Sequence, residues 1–259
     1  MNELDKFYSD RAKRLSGYKN NTGLHKLAND WIEKSMTENY VYNFDWLGRP
    51  IIQLPEDIVG VQELIWKTKP DTIIETGVAH GGSLILSASI LAMLDLCEAI
   101  ASGRTYDPKL TERRVVGIDV DIRQHNRELI EAHPLFNYIT LIEGSSTAPE
   151  VISKVKATTK ASNKSLVFLD SNHTHAHVSK ELDAYSCFVT LNSYCVVFDT
   201  FVEIMPQGLF PNRPWDVGDN PMTAVKDFLD SNDNFVIDDE IDTKLQITVA
   251  KSGFLKRIK

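Results

Sequence analysis

The 259-residue chain is long enough for one large α/β domain or two small ones, its composition is ordinary for a folded protein, and its formal net charge is -8. That charge excludes a broad electrostatic footprint for nucleic acid or anionic lipid, so a small or neutral partner is expected. Cys97, Cys187 and Cys195 show no CxxC spacing, and Cys97 and Cys195 lie in apolar runs that favour packed, reduced thiols. With a polar first stretch, "MNELDKFYSDRAKRLSGYKNN", and no uninterrupted apolar run of membrane-spanning length, the expected location is the cytosol, with no membrane partner.

Residues 1–40 are expected to form a helical lead-in, with Leu24, Leu27, Trp31 and Ile32 on one face, ahead of a main domain over residues 41–259. Pro50 and Pro55 mark turns, and "PEDIVGVQELIWK" opens a helix with acids in its first turn and lysine in its last. From Asp71 the pattern becomes regular. "TIIET", "RVVGIDVD", "ITLIEGSS", "SLVFLDSN" and "YCVVFDT" read as strands, alternating with helices over about 83–101, 124–132, 149–158 and 175–187. Short β-branched runs of this kind are buried on both faces, which predicts a mostly parallel sheet with helices on either side. Asn220 and Pro221 then start a helix, and "NFVIDDE" and "KLQITVAKSGFLKRI" read as an antiparallel pair closing the sheet. The insertion "EAIASGRTYDPKLTERR" is expected to be a mobile surface excursion.

Ligands in such a sheet sit beyond the carboxyl ends of the strands, where the strand order switches. The first of those ends carries Glu75, Gly77, His80, Gly81, Gly82 and Ser83, which fit neither GxGxxG nor GxxxxGK. An acid without a lysine argues against a phosphate and for a ligand with a cationic group, such as the ammonium of S-adenosylmethionine. Asp119, at the second strand end in the stretch running to Arg123, is placed to accept hydrogen bonds from two ribose hydroxyls. Ser145 and Ser146 face the adenine side. Against these readings stand plainer ones: a tight turn, a helix-capping Asp119, and serines capping the helix at Pro149.

The fourth strand end, "FLDSNHTHAHV", is the densest in chemistry. A helix starting near Thr174 would keep Asp170 and His173 in the crevice and turn His177 onto the helix surface. Asp199, at the fifth strand end, neighbours Asp170. Two converging carboxylates repel unless one is protonated or a cation lies between them, and Mg2+ suits such oxygen ligands. His173 is the candidate for taking a proton from a substrate hydroxyl, or else a support for the Asp170 loop. Trp215, Phe210 and Arg213, in the Pro- and Gly-rich segment after the fifth strand, either contact a sugar face or an acidic group or anchor the loop.

Together, "NFDWLGRPIIQLPEDI", "IIETGVAHGGSLI", "GIDVDIRQHNR", "ITLIEGSS", "LDSNHTHAHV", "VVFDT", "RPWDVGDNPMTAV" and "KLQITVAKSGFLKRI" resemble the cephalosporin hydroxylase family, which includes rhamnosyl O-methyltransferases. The resemblance covers roughly Tyr40 to the C-terminus. It implies a Rossmann-like class I methyltransferase fold, S-adenosylmethionine as cofactor, and O-methylation of a sugar or natural-product hydroxyl, often Mg2+-assisted. By motif it assigns Glu75, Gly77 and Gly81 to Ser83 to the methionine part, Asp119 to the ribose, and Ser145 and Ser146 to the adenine side, with His80, Arg123 and Asp170 as further cofactor-binding candidates. It implies Asp170 and Asp199 as metal ligands and a homo-oligomer; the catalytic candidates read from the residues themselves are His173 and Asp170. The pattern departs at Phe198, where related metal-dependent members carry an acid, and Asn172, Thr200 or water are the candidate substitutes. Two other readings compete: a non-haem iron oxygenase built on His173, His175 and Asp170, and a catalytically silent protein of the same fold.

Overall fold

The computed structural model describes residues 2–159 and 164–259, so that of the expected lead-in only residue 1 falls outside. Two helices come first, α1 (Glu3–Tyr18) and α2 (Thr22–Thr37), then a short hairpin, β1 (Phe44–Trp46) and β2 (Arg49–Ile51), and α3 (Pro55–Thr68). The alternating region follows: β3 (Thr72–Thr76), α4 (Gly82–Ser102), β4 (Arg114–Asp119), α5 (Gln124–Glu131), β5 (Ile139–Glu143), α6 (Pro149–Thr158), β6 (Ser165–Leu169), α7 (His175–Tyr185) and β7 (Tyr194–Val197). The chain closes with α8 (Pro221–Ser231), β8 (Phe235–Ile237), α9 (Asp239–Leu245) and β9 (Phe254–Arg257).

Among the described residues, seven strands form one sheet in the order β5-β4-β3-β6-β7-β9-β8. The first five are mutually parallel, and β9 runs antiparallel to both β7 and β8. Alternate residues of each strand feed opposite faces, as the two-residue repeat of a strand requires. Ile73, Val115, Leu166 and Val196 pack beneath α3 and α4, while Ile74, Val116, Val167 and Cys195 pack beneath α6, α7 and α8. The chain reverses direction in the sheet between β3 and β6, so the switch point lies where those strands end.

Several expectations need correction. The two closing runs are separated by α9, and β9 begins only at Phe254. Asp238 accepts the Glu240 amide at 3.2 Å, and Asp239, Glu240 and Asp242 fill the first turn of α9, a helix-start signal stronger than the β-branched pattern beside it. Leu27 is exposed, and α2 instead buries Ala28 and Ile32 against the core. The insertion after α4 is an exposed excursion whose end is tied back to that helix. Arg113 donates to Asp95 and, at 2.8 Å, to Glu98, and Thr111 donates to Asp95 at 2.6 Å. Cys97 is exposed, whereas Cys195 is buried. Finally, α4 is long and apolar enough to cross a membrane, with a mean hydropathy of 2.0, but it packs against both the sheet and α3, with 56% of that stretch buried.

Candidate active site

The sheet register sets the site. Thr76 lies opposite both Ile118 and Leu169, and Leu169 opposite Val197. The next residues, Gly77, Asp119, Asp170 and Phe198, therefore form one row along the carboxyl edge. Gly77 has φ +91°, and a Cβ there would lie 2.0 Å from the Asp170 carbonyl oxygen, so only glycine lets the first turn cross the switch point this closely.

The turn from Gly77 to Gly81 is held from two sides. The Asp119 carboxylate accepts the amides of Val78 (2.8 Å) and Ala79 (3.3 Å) through one oxygen, and that of Asp121 (3.2 Å) through the other. Asp119 is neither a helix cap nor a free surface acid. On the opposite side the buried Arg49 donates to the His80 carbonyl through Nε (2.9 Å) and Nη2 (2.6 Å), and to Asn126 Oδ1 at 3.0 Å. Asn126 Nδ2 donates in turn to the Ala79 carbonyl at 2.9 Å, and the His80 ring lies 3.4 Å from Asn126 Oδ1. Sequence reasoning missed Arg49 and Asn126. Arg49 sits in the quoted "GRPIIQ" stretch, but nothing local shows that its guanidinium reaches a carbonyl 31 residues away.

Glu75 is 3% exposed. Ser83 Oγ donates to its Oε1, while Oε2 is buried without a partner. Burial pushes its carboxyl up to about 7 against that hydrogen bond.

Beyond the row a cleft of about 710 Å³ opens, lined by Gly77–Gly82 turn residues, Ser83, Asp170, Ser171, His173, Phe198 and Asp199. Its outer walls come from two distant segments. One is the end of α2 and the turn after it, with Met36, Thr37, Asn39, Val41 and Tyr42, and the other is the loop after β7, with Phe210, Arg213 and Trp215. The lead-in is thus part of the cleft wall. Trp215 is buried, packs 4.8 Å from Phe210, meets the edge of His173 at 5.4 Å, and carries the Arg213 guanidinium 5.9 Å from its ring centre. It both anchors the loop and lines the cleft.

Asp170, His173 and Asp199 converge. One ligand atom from each lies within 4.8 Å of the others, and His173 Nε2 is 3.1 Å from Asp199 Oδ2. Burial holds the Asp170 carboxyl well above the usual carboxylate range, and the negative charges of Asp199, Glu75, Asp57 and Glu181 add to it. Asp199 itself sits at φ +56°, a backbone conformation non-glycine residues seldom adopt. Phe198 packs edge-on against Phe168 at 6.1 Å and supplies no ligand. Of the expected substitutes, Asn172 Oδ1 accepts from Thr174, and Thr200 Oγ1 donates to the Val249 carbonyl. His173 is the third side chain of the cluster.

Other expected positions lie elsewhere. Arg123 is exposed at the start of α5, outside the cleft lining. Ser145 and Ser146 do not cap α6, whose N-cap is Ala148 without a side-chain bond. Ser145 Oγ contacts Thr147 Oγ1 at 3.1 Å. Ser146 Oγ lies 3.1 Å from His177 Nε2, and that ring also contacts Ser171 Oγ (3.2 Å) and Glu181 (3.3 Å). His177 is only half-buried on α7, and its ring links Ser146, after β5, to Ser171, after β6. His175 turns away to Thr223 (2.8 Å), so a site of two histidines and Asp170 does not assemble.

Residues 38–258 match the family described as Rhamnosyl O-methyltransferase/CmcI. The chain is similar to a rhamnosyl O-methyltransferase of Mycobacterium leprae, 23% identical over 85% of this chain and 86% of that protein. A rhamnosyl O-methyltransferase of Mycobacterium bovis is 25% identical over 78% and 73%. Among solved structures, CmcI with Mg and SAM superposes with a TM-score of 0.52 at 19% identity, covering 84% of this chain and 78% of that one. A putative O-methyltransferase from Klebsiella pneumoniae gives 0.50 at 13% identity, covering 90% of each. These structures show a shared fold.

Proposed function

The chain belongs to the Rhamnosyl O-methyltransferase/CmcI family, and from that membership and the geometry of the cleft we propose that it is an S-adenosylmethionine-dependent O-methyltransferase acting on a hydroxyl of a sugar or glycosylated small molecule. The observation that carries this reading is the convergence of Asp170, His173 and Asp199 beside a glycine turn, inside a cleft whose far wall is aromatic. Similarity to the rhamnosyl O-methyltransferases supports the choice of acceptor.

The donor set fits a divalent cation. Two carboxylates and an imidazole lie within mutual reach, and Asp170 is held towards its neutral form by burial and by negative neighbours that a cation would offset. Asp170, Asp199 and His173 are the residues that would hold Mg2+, which when bound polarises an acceptor hydroxyl and lowers its pKa. Ser83 lines the cleft and Glu75 lies directly behind it, hydrogen-bonded to Ser83 Oγ, so that this acidic strand end suits the ammonium of the cofactor. Trp215 and Phe210 offer a flat apolar wall to the face of a sugar ring and exclude water.

Methyl transfer breaks the sulfonium carbon–sulfur bond, whose electron pair stays on sulfur, and forms a carbon–oxygen bond to the acceptor, releasing the hydroxyl proton. The contact of His173 Nε2 with Asp199 fixes the tautomer that leaves Nδ1 free to accept that proton. The three-way convergence also favours a second role for His173, as a metal donor. His173→Gln separates the two. Metal binding that survives while transfer is lost assigns the base, and loss of metal binding assigns the ligand. Calorimetry with S-adenosylhomocysteine tests the reading as a whole, since no binding at millimolar concentration would remove it, and Asp170→Asn is expected to abolish transfer.

A further inference from the structure

Gln53 lies between β2 and α3, is 5% exposed, and lines the same cleft as the glycine turn and Asp170. Its amide oxygen is buried without a partner, and among the described residues no group hydrogen-bonds its amide at either end. A buried carboxamide left unpaired costs free energy, and native proteins seldom retain one without a use for it. Its position indicates the use. A Cβ on Gly82 would lie 2.2 Å from the Pro50 carbonyl oxygen and 2.7 Å from Ile51 Cα, so β2 presses directly on the first turn of α4. That contact brings the segment carrying Gln53 alongside Gly82 and Ser83; Gln53 and Ser83 line the same cleft, and Ser83 donates to Glu75, whose Oε2 also lacks a partner.

A carboxamide offers a donor and an acceptor side by side, and it is complementary to an amino-acid end with adjacent carboxylate and ammonium. We infer that Gln53 is a positioning residue that reads the amino-acid end of the cofactor, its amide hydrogen-bonding the ammonium and the carboxylate. This rests on the methyltransferase reading and adds a residue to it. Gly82, in this view, is a glycine so that β2 can bring Gln53 into place.

The test compares S-adenosylhomocysteine with 5'-methylthioadenosine, which shares the nucleoside and sulfur but lacks the amino-acid end. Binding of both to wild-type chain and to Gln53→Met is measured by calorimetry. Hydrogen bonds to charged groups set the expected loss at roughly tenfold or more for S-adenosylhomocysteine, with none for 5'-methylthioadenosine. Gln53→Asn, which keeps a polar amide but withdraws it by one methylene, is expected to show the same selective loss, and it serves if the methionine variant does not fold. An unchanged affinity for S-adenosylhomocysteine, or equal losses for both ligands in a folded variant, overturns the inference. Wild-type chain that binds neither ligand overturns the methyltransferase reading itself.

Discussion

Gly77→Ala is the most direct probe of the switch point, and its cost has two separable parts. The first is conformational, because an L-residue at φ +91° pays about 1–2 kcal/mol. The second is steric. The new methyl would lie 2.0 Å from the Asp170 carbonyl oxygen and 2.7 Å from its carbonyl carbon. Restoring a normal separation of about 3.5 Å requires the turn and the Asp170 loop to part by about 1.5 Å. That movement strains the 3.0 Å bond from the Asp170 amide to the Thr76 carbonyl and the 2.8 Å bond from the Val78 amide to Asp119, and losing one such buried bond costs about 1–3 kcal/mol. Gly48→Ala provides the control. Gly48 has nearly the same φ, +86°, but open space around a Cβ, so it pays the first cost alone.

Urea unfolding of both variants, with calorimetry using S-adenosylhomocysteine, reads the difference. Gly48→Ala is expected to lose about 1–2 kcal/mol and bind as wild type. Gly77→Ala is expected to lose about 2–5 kcal/mol and to bind about a hundredfold more weakly, since misplacement by roughly 1 Å costs that much in a preorganised site. If Gly77→Ala matched Gly48→Ala in both measurements, the close approach to Asp170 would not be what shapes the cleft.

Asp57, buried and accepting from Thr248 and the Val249 amide, is raised from 3.8 to about 7 by burial, against those bonds and with help from Glu56 and Asp199. A folded-state pKa above the unfolded value gives stability that is present at low pH and lost as pH rises through about 7, here up to about 4 kcal/mol between pH 4 and pH 8. Asp57→Asn cannot ionise, so its urea unfolding is expected to vary less between pH 5.5 and pH 8.5; an unchanged slope contradicts the assignment. Arg49→Met leaves the His80 carbonyl and Asn126 Oδ1 without their donor, and is expected to cost about 2 kcal/mol and weaken S-adenosylhomocysteine binding, with Arg49→Lys recovering only part. Full activity and affinity in Arg49→Met would show that the turn holds itself. Arg113→Leu breaks the partly buried pairs with Asp95 and Glu98 and is expected to cost about 3–5 kcal/mol in urea unfolding while leaving cofactor affinity unchanged. A loss confined to a few tenths of that range would mean solvent already screens these charges.

The alternation of short β-branched runs with helices was legible from the residues, because strands buried on both sheet faces read as nearly continuous apolar runs. So was the row of acids at the strand ends, since parallel strands place every carboxyl end on one edge. Local sequence also contained the start of α9, in its cluster of acids after Asp238, but the apolar run of the following residues outweighed it. Only the folded chain decided the rest. Arg49 and Asn126 grip the glycine turn from 31 and 46 residues away, and α2 and the loop after β7 meet across one cleft from opposite ends of the sequence. His173 came to lie against Asp199, and His177 against Ser146, through contacts between separate strand ends. Periodicity records which face of an element is buried, but the partner that covers that face belongs to the tertiary structure. The sequence alone therefore determined the sheet and its acidic rim, and long-range packing determined which side chains meet there.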